Sequence, residues 1–310
     1  MISIPQPPRC LICDNANHFT TCFRVSRETL IAGWQRTYRI DVAGELKDVR
    51  EVGMVECNRC HLRFFLPLGM AGSPALYAQL EAFDWYYMLD KWEYDAAIED
   101  IPRQGKVLEV GCGEGHFLEK LRGRPGILAE GIEVNRTAVE SARQRGLNVT
   151  CDDLGARAAT SGAPYDAVCS FQVLEHLPDP RSFLESCCAL LRPGGKLILA
   201  VPNANSFLRW LPLNLLDMPP HHTTRWSART MRSLSAIFPL RVVRMVCEPL
   251  ARYHVYDFLE PLAALLDRLP IPHHLPRRAT MKYVAPFLQN SNRIRGLLRG
   301  HTLYSCFARG

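Results

Sequence analysis

Between Lys106 and Arg122 the chain reads KVLEVGCGEGHFLEKLR, and no other stretch narrows the possible folds as much. Lys106 to Val110 is an apolar run too short for a helix and predicts a buried parallel strand. The run breaks at Gly111-Cys112-Gly113-Glu114-Gly115, and His116 to Arg122 then predicts a helix stopped by Gly123. A strand, a glycine turn and a helix opening bring bare backbone N–H groups against a ligand. The glycines alternate, at 111, 113 and 115, whereas the dinucleotide fingerprint needs G-x-G-x-x-G. His116 stands where that fingerprint would place its third glycine, so the turn fits a nucleoside ligand of another kind.

A second apolar run, Leu128 to Glu133, ends in an acid 22 residues beyond Gly111, where a doubly wound fold holds ribose hydroxyls. Asn135 predicts the cap of the following helix and Gly146 its end. Asp152 and Asp153 follow a third run, Leu147 to Thr150. Tyr165 to Ser170 supplies a fourth, leading into Gln172-Val173-Leu174-Glu175-His176. A helix over Arg181 to Leu191, the turn Arg192-Pro193-Gly194-Gly195 and a fifth strand over Lys196 to Val201 come next. Five strands alternating with helices imply a parallel sheet covered on both faces.

Taken together, VLEVGCGEG, GIEV, YDAVCSFQVLEHLPDP and LLRPGGKLILAVPN resemble the successive motifs of class I S-adenosylmethionine-dependent methyltransferases, in order, over about residues 105–205. The resemblance implies an α/β fold with a doubly wound, seven-stranded Rossmann-like sheet, Leu240 to Cys247 and Thr302 to Ala308 supplying its last two strands. It implies S-adenosyl-L-methionine as cofactor, with the backbone of Gly111, Cys112, Gly113 and Gly115 taking the methionine part and Glu109 attracting its ammonium. Glu133 would accept from both ribose hydroxyls. Asp152 or Asp153 would accept from the adenine amino group while Leu154 packs against the ring. Gln172, Val173 and Leu174 would line the floor under the sulfonium. Three histidines are candidates for the catalytic base: His176, in Leu174-Glu175-His176-Leu177, and the pair His221 and His222, in Met218-Pro219-Pro220-His221-His222-Thr223. A neutral imidazole suits proton removal from a hydroxyl near pH 7. The structural alternatives are that His176 braces the turn before the next helix and that the pair folds against Trp226.

Ahead of this core, Cys10-Leu11-Ile12-Cys13 and Cys57-Asn58-Arg59-Cys60 form two C-x-x-C pairs separated by 43 residues. Four thiolates on two tight turns satisfy a tetrahedral Zn2+ with no position left open, so the expected ion is structural, held by Cys10, Cys13, Cys57 and Cys60. Cys22 and His61 are alternative ligands, and a redox pair would require a βαβ context that is missing here. Strand-like runs such as Val49 to Val55 between the pairs suggest a zinc-ribbon-like module over residues 1–70, and bacterial methyltransferases resembling this chain carry a similar one. Twelve cysteines without a secretory signal, and no apolar run near the ~20 residues of a membrane span, predict a cytoplasmic protein.

Residues 71–104 are expected to connect the module to the methyltransferase domain at 105–310. Within them, a single helix is predicted over Leu76 to Ile101, crowded with Trp85, Tyr86, Tyr87, Trp92 and Tyr94 and closing over the cofactor; one tyrosine is expected at the active site. About 50 residues separate the sixth strand from the seventh, and an insert over 254–300 should hold helices at Tyr256 to Leu269 and Val284 to Leu298. The net charge of +6 concentrates there: Arg268, Arg277, Arg278, Lys282, Arg293, Arg295, Arg299 and Arg309 follow one another with no acid between. Such a segment forms a solvated basic face, a protein contact or a peripheral contact with anionic lipid. The primary expectation is methyl transfer to a small-molecule or glycan-precursor acceptor, most plausibly at oxygen. The alternatives are an RNA methyltransferase, disfavoured by the lack of aromatic interleaving in the basic stretch, and a non-catalytic S-adenosylmethionine-binding module.

Overall fold

The computed structural model describes residues 9–83, 85–86, 88–160, 162, 164–266 and 280–310, which form two sheets. The N-terminal part contributes β1 (Phe19–Ser26), α1 (Arg27–Tyr38), β2 (Glu51–Cys57) and β3 (Arg63–Leu66). Ser26 ends β1 and starts α1, its hydroxyl accepting from the Thr29 amide, as Ser does best at a helix start. The next elements are α2 (Pro74–Leu80), α3 (Trp92–Asp100), β4 (Gly105–Val110), α4 (His116–Arg122), β5 (Ile127–Ile132), α5 (Arg136–Gln144), β6 (Val149–Thr150) and α6 (Leu154–Thr160). The chain continues through β7 (Tyr165–Phe171), α7 (Pro180–Leu190), β8 (Leu191–Pro202), β9 (Thr224–Arg225), α8 (Ala228–Ser233) and β10 (Leu240–Pro249). Then come α9 (Val255–Leu266), α10 (Ala285–Asn290), α11 (Asn292–Gly296) and β11 (Arg299–Arg309).

The large sheet has the order β10-β11-β8-β7-β4-β5-β6. Its five central and edge strands β8, β7, β4, β5 and β6 run parallel, and β11 is antiparallel to both β8 and β10. This is the seven-stranded α/β sheet expected. The first strand of the fold, β4, has β5 on one side and β7 on the other, so the strand order reverses there and leaves a crevice at the carboxyl ends. The expected turn Arg192 to Gly195 lies as a bulge within β8, whose pairing with β7 jumps from Tyr165–Leu191 to Ala167–Lys196.

The small sheet, β1-β2-β3-β9, is antiparallel, and its fourth strand comes from beyond β8. Residue 70 therefore marks a change of sheet without a break in packing. Cys10, Ile12, Cys57, Leu62 and Phe64 share one apolar core with Leu174, Leu184, Leu199 and Trp226.

The single helix expected over Leu76 to Ile101 does not form. Two helices, α2 and α3, are separated by a turn in which Phe83 stacks on Trp85 (centroids 5.2 Å apart) and both rings lie about Tyr38 of α1. Aromatic packing against the N-terminal part outweighs helical propensity there. The rings of α3 pack inward as expected, Tyr94 on Phe117 and Phe171 and Trp92 on Tyr304.

Between β10 and β11, α9, α10 and the 3-10 turn Phe207–Trp210 enclose a small core of Phe207, Leu208, Leu250, Val255, Leu259, Ala285 and Leu288. The helix expected over Val284 to Leu298 is broken at Ser291, whose φ of −104° and ψ of 87° lie outside the helical region. Part of the expected insert, including Arg268, Arg277 and Arg278, lies outside the described residues. No helix among the described residues is long and apolar enough to cross a membrane.

Candidate active site

The glycine turn fills the crevice at the end of β4. Gly111, Gly113 and Gly115 all have positive φ (73°, 51° and 82°), a backbone that L side chains rarely adopt. A Cβ on Gly111 would meet Val173 Cγ2 at 2.4 Å, so the turn and the segment after β7 touch only because position 111 has no side chain. The Glu133 carboxylate closes the turn, Oε2 accepting from the Gly113 amide (2.8 Å) and Oε1 from the Val134 and Asn135 amides (2.7 and 2.8 Å). The Cys112 side chain points the other way, into the core formed by Leu118, Val139 and Leu147, which leaves its backbone as the part nearest the crevice.

Glu109 is 2% exposed, and its Oε2 has no hydrogen-bond partner among the described residues. Burial holds its carboxyl well above the ordinary range, with the Lys91 ammonium pulling against that. A buried acid oxygen without a donor beside a glycine cradle suits the ammonium end of an amino-acid-like ligand. Of the two acids after β6, Asp152 pairs with Arg157 (2.9 Å), while Asp153 Oδ1 accepts from the Ala156 amide at the start of α6. Leu154 packs on the main core beside them. Gln172 takes a positive φ of 56°, and its Nε2 donates to the buried Glu93 at 2.9 Å; Leu174 turns into the core. These residues fit S-adenosylmethionine through an orphaned acid for the ammonium and a second acid one strand away. The amides of Gly111 and Cys112 already donate to Ile132 O, that of Gly113 to Glu133 Oε2 and that of Gly115 to Cys112 O, so the turn meets the ligand by its bare glycine backbone rather than by free donors.

The three candidate histidines come together although 45 residues separate His176 from His221. Their ring centroids lie 4.5 to 4.7 Å apart, with His221 and His222 stacked. His176 sits in the 3-10 turn Leu174–His176 shortly after β7, three residues beyond Val173, whose side chain borders Gly111. The loop carrying the pair is tied to that turn, because the Thr223 amide donates to Glu175 O (2.8 Å) and the Thr223 hydroxyl to Leu177 O (2.8 Å).

Each imidazole faces an oxygen at Nδ1: His221 O for His176 (2.8 Å), Leu216 O for His221 (2.7 Å) and Asp217 Oδ1 for His222 (3.2 Å). Those acceptors place the proton on Nδ1 and leave the lone pair on Nε2 in all three. Burial pushes His221 down to about 4, and burial together with the neighbouring imidazoles holds His176 and His222 well below their ordinary value. All three are therefore neutral near pH 7. His176, His221 and His222 thus form one cluster, tied to the turn after β7 through Thr223.

Two tyrosines reach this cluster, and the sequence reading expected one at the active site. Tyr77, from α2, lies 3.1 Å from His176 Nδ1, and Tyr86 donates to His221 Nε2 at 3.2 Å. Nothing in their sequence context distinguishes them from the rings that only fill the core. Asp217 and Arg225 were also not singled out. Asp217 is buried, paired with Arg225 at 2.9 Å and oriented toward His222, and the Arg225 guanidinium lies over the rings of Phe23 and Phe65 from the small sheet.

A second cluster stands apart from the pocket. Cys10, Cys13, Cys57 and Cys60 are buried with their sulfurs all within 4.8 Å of one another, the closest pairs at 3.4 and 3.6 Å. Sulfurs around a tetrahedral ion at a Zn–S length of about 2.3 Å sit about 3.8 Å apart, so the set fits such an ion with little movement. Cys22 is exposed and His61 turns to Glu56 at 3.3 Å, so neither joins it.

A methyltransferase-domain family model matches residues 86–244, about half of the chain. Among curated proteins, "Ubiquinone biosynthesis O-methyltransferase" of Coxiella burnetii is 33% identical over 115 residues, covering 34% of this chain and 48% of that protein. The protein of the same name in Vibrio vulnificus is 35% identical over 109 residues, covering 32% of this chain and 45% of that protein. The chain thus spans about half the length of the curated relatives it matches. A solved S-adenosylmethionine-dependent methyltransferase from Archaeoglobus fulgidus superimposes with a TM-score of 0.52 at 20% identity, over 76% of this chain and all of that one, a likeness of fold. The strand order, the glycine turn with its two acids and the family match all lead to one assignment: the chain belongs to the class I S-adenosylmethionine-dependent methyltransferases.

Proposed function

We propose that the chain transfers a methyl group from S-adenosylmethionine to a hydroxyl of a small-molecule acceptor bound at His176, His221 and His222. The observation that carries this reading is the convergence of three neutral imidazoles, with lone pairs on Nε2, beside the glycine turn. The relatives named as O-methyltransferases support oxygen as the attacking atom. Bound, the cofactor supplies a methyl on a sulfonium whose loss leaves a neutral thioether.

The chain's own part is alignment and proton removal. Gly111 to Gly115, Glu109 and Glu133 would fix the cofactor, with Asp152 or Asp153 and Leu154 at its adenine end and Val173 beneath the turn. The histidine cluster then ionises the acceptor hydroxyl. Alignment supplies about 7–11 kcal/mol of such a barrier, and proton removal about 100- to 10,000-fold in rate. Structural zinc at the four cysteines is part of the same proposal, and so is a contact of the basic insert with an anionic surface.

Calorimetry with S-adenosylmethionine and transfer of labelled methyl to hydroxylated small molecules test it together. Glu133→Ala should weaken cofactor binding about tenfold, equivalent to ~1.4 kcal/mol. His222→Ala should leave cofactor affinity nearly unchanged while lowering transfer about 100-fold. Unaltered cofactor affinity in the first variant, or unaltered transfer in the second, sinks the reading.

A further inference from the structure

We propose that His176, His221 and His222 form a binding site for one divalent transition-metal ion, distinct from the cysteine cluster, through their three Nε2 atoms. Imidazole nitrogens of the three residues lie within 4.8 Å of one another, and two of the three rings are buried while His176 keeps a path to solvent. Three histidine nitrogens at about 2.1 Å from a tetrahedral ion are about 3.4 Å apart, so side-chain movements that close separations of up to 4.8 Å by at most about 1.4 Å complete the set.

What lies behind the rings is as informative as the rings. Histidine ligands of metals hand their other N–H to a carbonyl or carboxylate that fixes ring and tautomer. Here every Nδ1 already does so, to His221 O, Leu216 O and Asp217 Oδ1, and Arg225 holds Asp217 in turn. A base needs one such imidazole; three with the same tautomer in one pocket match the requirement of an ion. A second observation points the same way. Glu175 is 1% exposed, its Oε1 lies 4.0 Å from His176 Nε2, and its Oε2 has no hydrogen-bond partner among the described residues. A buried carboxyl with one oxygen left without a donor, and the other near the His176 lone pair, is an environment that a cation completes. Tyr86 donates to His221 Nε2 and would give up that contact to the ion.

The inference rests on the pocket being the acceptor site and specifies how the hydroxyl is ionised there. Three protein ligands leave at least one coordination position open. An acceptor hydroxyl bound at that position loses its proton to solvent water, because the cation stabilises the oxyanion. The oxygen lone pair then forms the O–CH3 bond as the C–S bond breaks and its electron pair stays on sulfur. On a tetrahedral ion the hydroxyl takes the one open position, and an acceptor with a second oxygen next to the hydroxyl is favoured where the ion expands to five-coordination.

The test uses the full chain, stripped with a chelator and titrated with Co2+. The cysteine cluster should bind with intense thiolate charge-transfer absorption. A second equivalent should follow with weak visible bands and no added charge transfer. His176→Gln, at the more open edge of the pocket, and the triple Gln variant should lose the second equivalent only, keeping the first and keeping S-adenosylmethionine affinity as evidence of an intact fold. One equivalent in the wild-type chain, or a second that survives in the triple variant, overturns the metal site. Loss of methyl transfer in these variants without a second equivalent overturns the metal and leaves the methyltransferase reading standing. A second equivalent without S-adenosylmethionine binding does the reverse.

Discussion

Glu109 shows how a single buried acid couples cofactor binding to pH. Its carboxyl is held above the ordinary value near 4.5 by burial, so the cofactor-free protein keeps it protonated over a range where a solvated acid is ionised. An arriving ammonium favours the carboxylate, so binding should release a proton. Affinity should then rise with pH through the window above 4.5 until the free carboxyl itself ionises. Calorimetry in buffers of different ionisation enthalpy should detect that proton. Glu109→Gln should abolish the release and weaken binding about 10- to 100-fold, the range for a lost charge-assisted hydrogen bond of about 1.5–3 kcal/mol. Binding without buffer dependence in the wild-type chain would mean that this acid does not meet the cofactor. Glu109 and Glu133 were singled out in the sequence because one lies within, and the other ends, an apolar strand run at a fixed distance from the glycines. Asp217 and Arg225 were not, since an acid and a base eight residues apart in a loop carry no local signature. Only the fold brings the pair under two phenylalanines and behind His222.

At the level of elements, the small sheet and the loop with His221 and His222 form one connected unit. β9 completes the small sheet two residues after His222, pairing Arg63 with Arg225 and Phe64 with Thr224. The knuckle that carries Cys57 and Cys60 is tied to the same region, because Thr230 and Ser233 of α8 donate to His61 O (2.8 Å) and Cys60 O (3.1 Å). Removing the zinc proposed for the four cysteines, or making Cys60→Ser, should loosen β3, then β9, then the histidine loop. The glycine turn, at the end of β4, borders this route only where Gly111 meets Val173. A loss of about 3 kcal/mol would lower Tm by about 5 °C for a chain of this size. Methyl transfer should fall by more than tenfold, with S-adenosylmethionine affinity held within about threefold. Equal loss of affinity and transfer in thermal-shift and binding assays would show that the ion supports the whole fold rather than this loop. The alternating strands and helices were readable because periodicity and glycine turns are local. The loss of helix between Leu80 and Trp92 was not, because Phe83 and Trp85 are drawn out of it by Tyr38, a residue about 45 positions earlier.

Over the whole molecule, eight of the fourteen large hydrophobic side chains exposed among the described residues fall on the end that carries the positive charge. Trp210, Leu213, Tyr253, Tyr256, Tyr283, Phe287, Ile294 and Leu297 are exposed, all of them on the insert or the turn beneath it. Tyr283 and Phe287 are four residues apart, a spacing that places side chains on neighbouring turns of helical backbone. Lys282 lies over the Tyr283 ring at 5.2 Å, and Arg209 over the Trp210 ring at 4.6 Å. Arg252, Lys282, Arg293 and Arg299 are exposed around these rings, and no acid occurs between 280 and 310. Rings and leucines ringed by bases suit the headgroup region of an anionic bilayer, where each base near the surface contributes about 1 kcal/mol and the rings bury apolar area. A solvated basic face would have the same charges but no need for the exposed rings. Vesicle flotation separates the two. The full chain should float with vesicles rich in phosphatidylglycerol at low salt and stay behind with phosphatidylcholine alone. Tyr283→Ser with Phe287→Ser should reduce the floating fraction several-fold without changing S-adenosylmethionine affinity, and Arg293→Gln with Arg299→Gln should make the remaining binding less sensitive to salt. A contact that is only electrostatic would ignore the ring substitutions, and a chain that never floats has no lipid surface to explain its exposed rings.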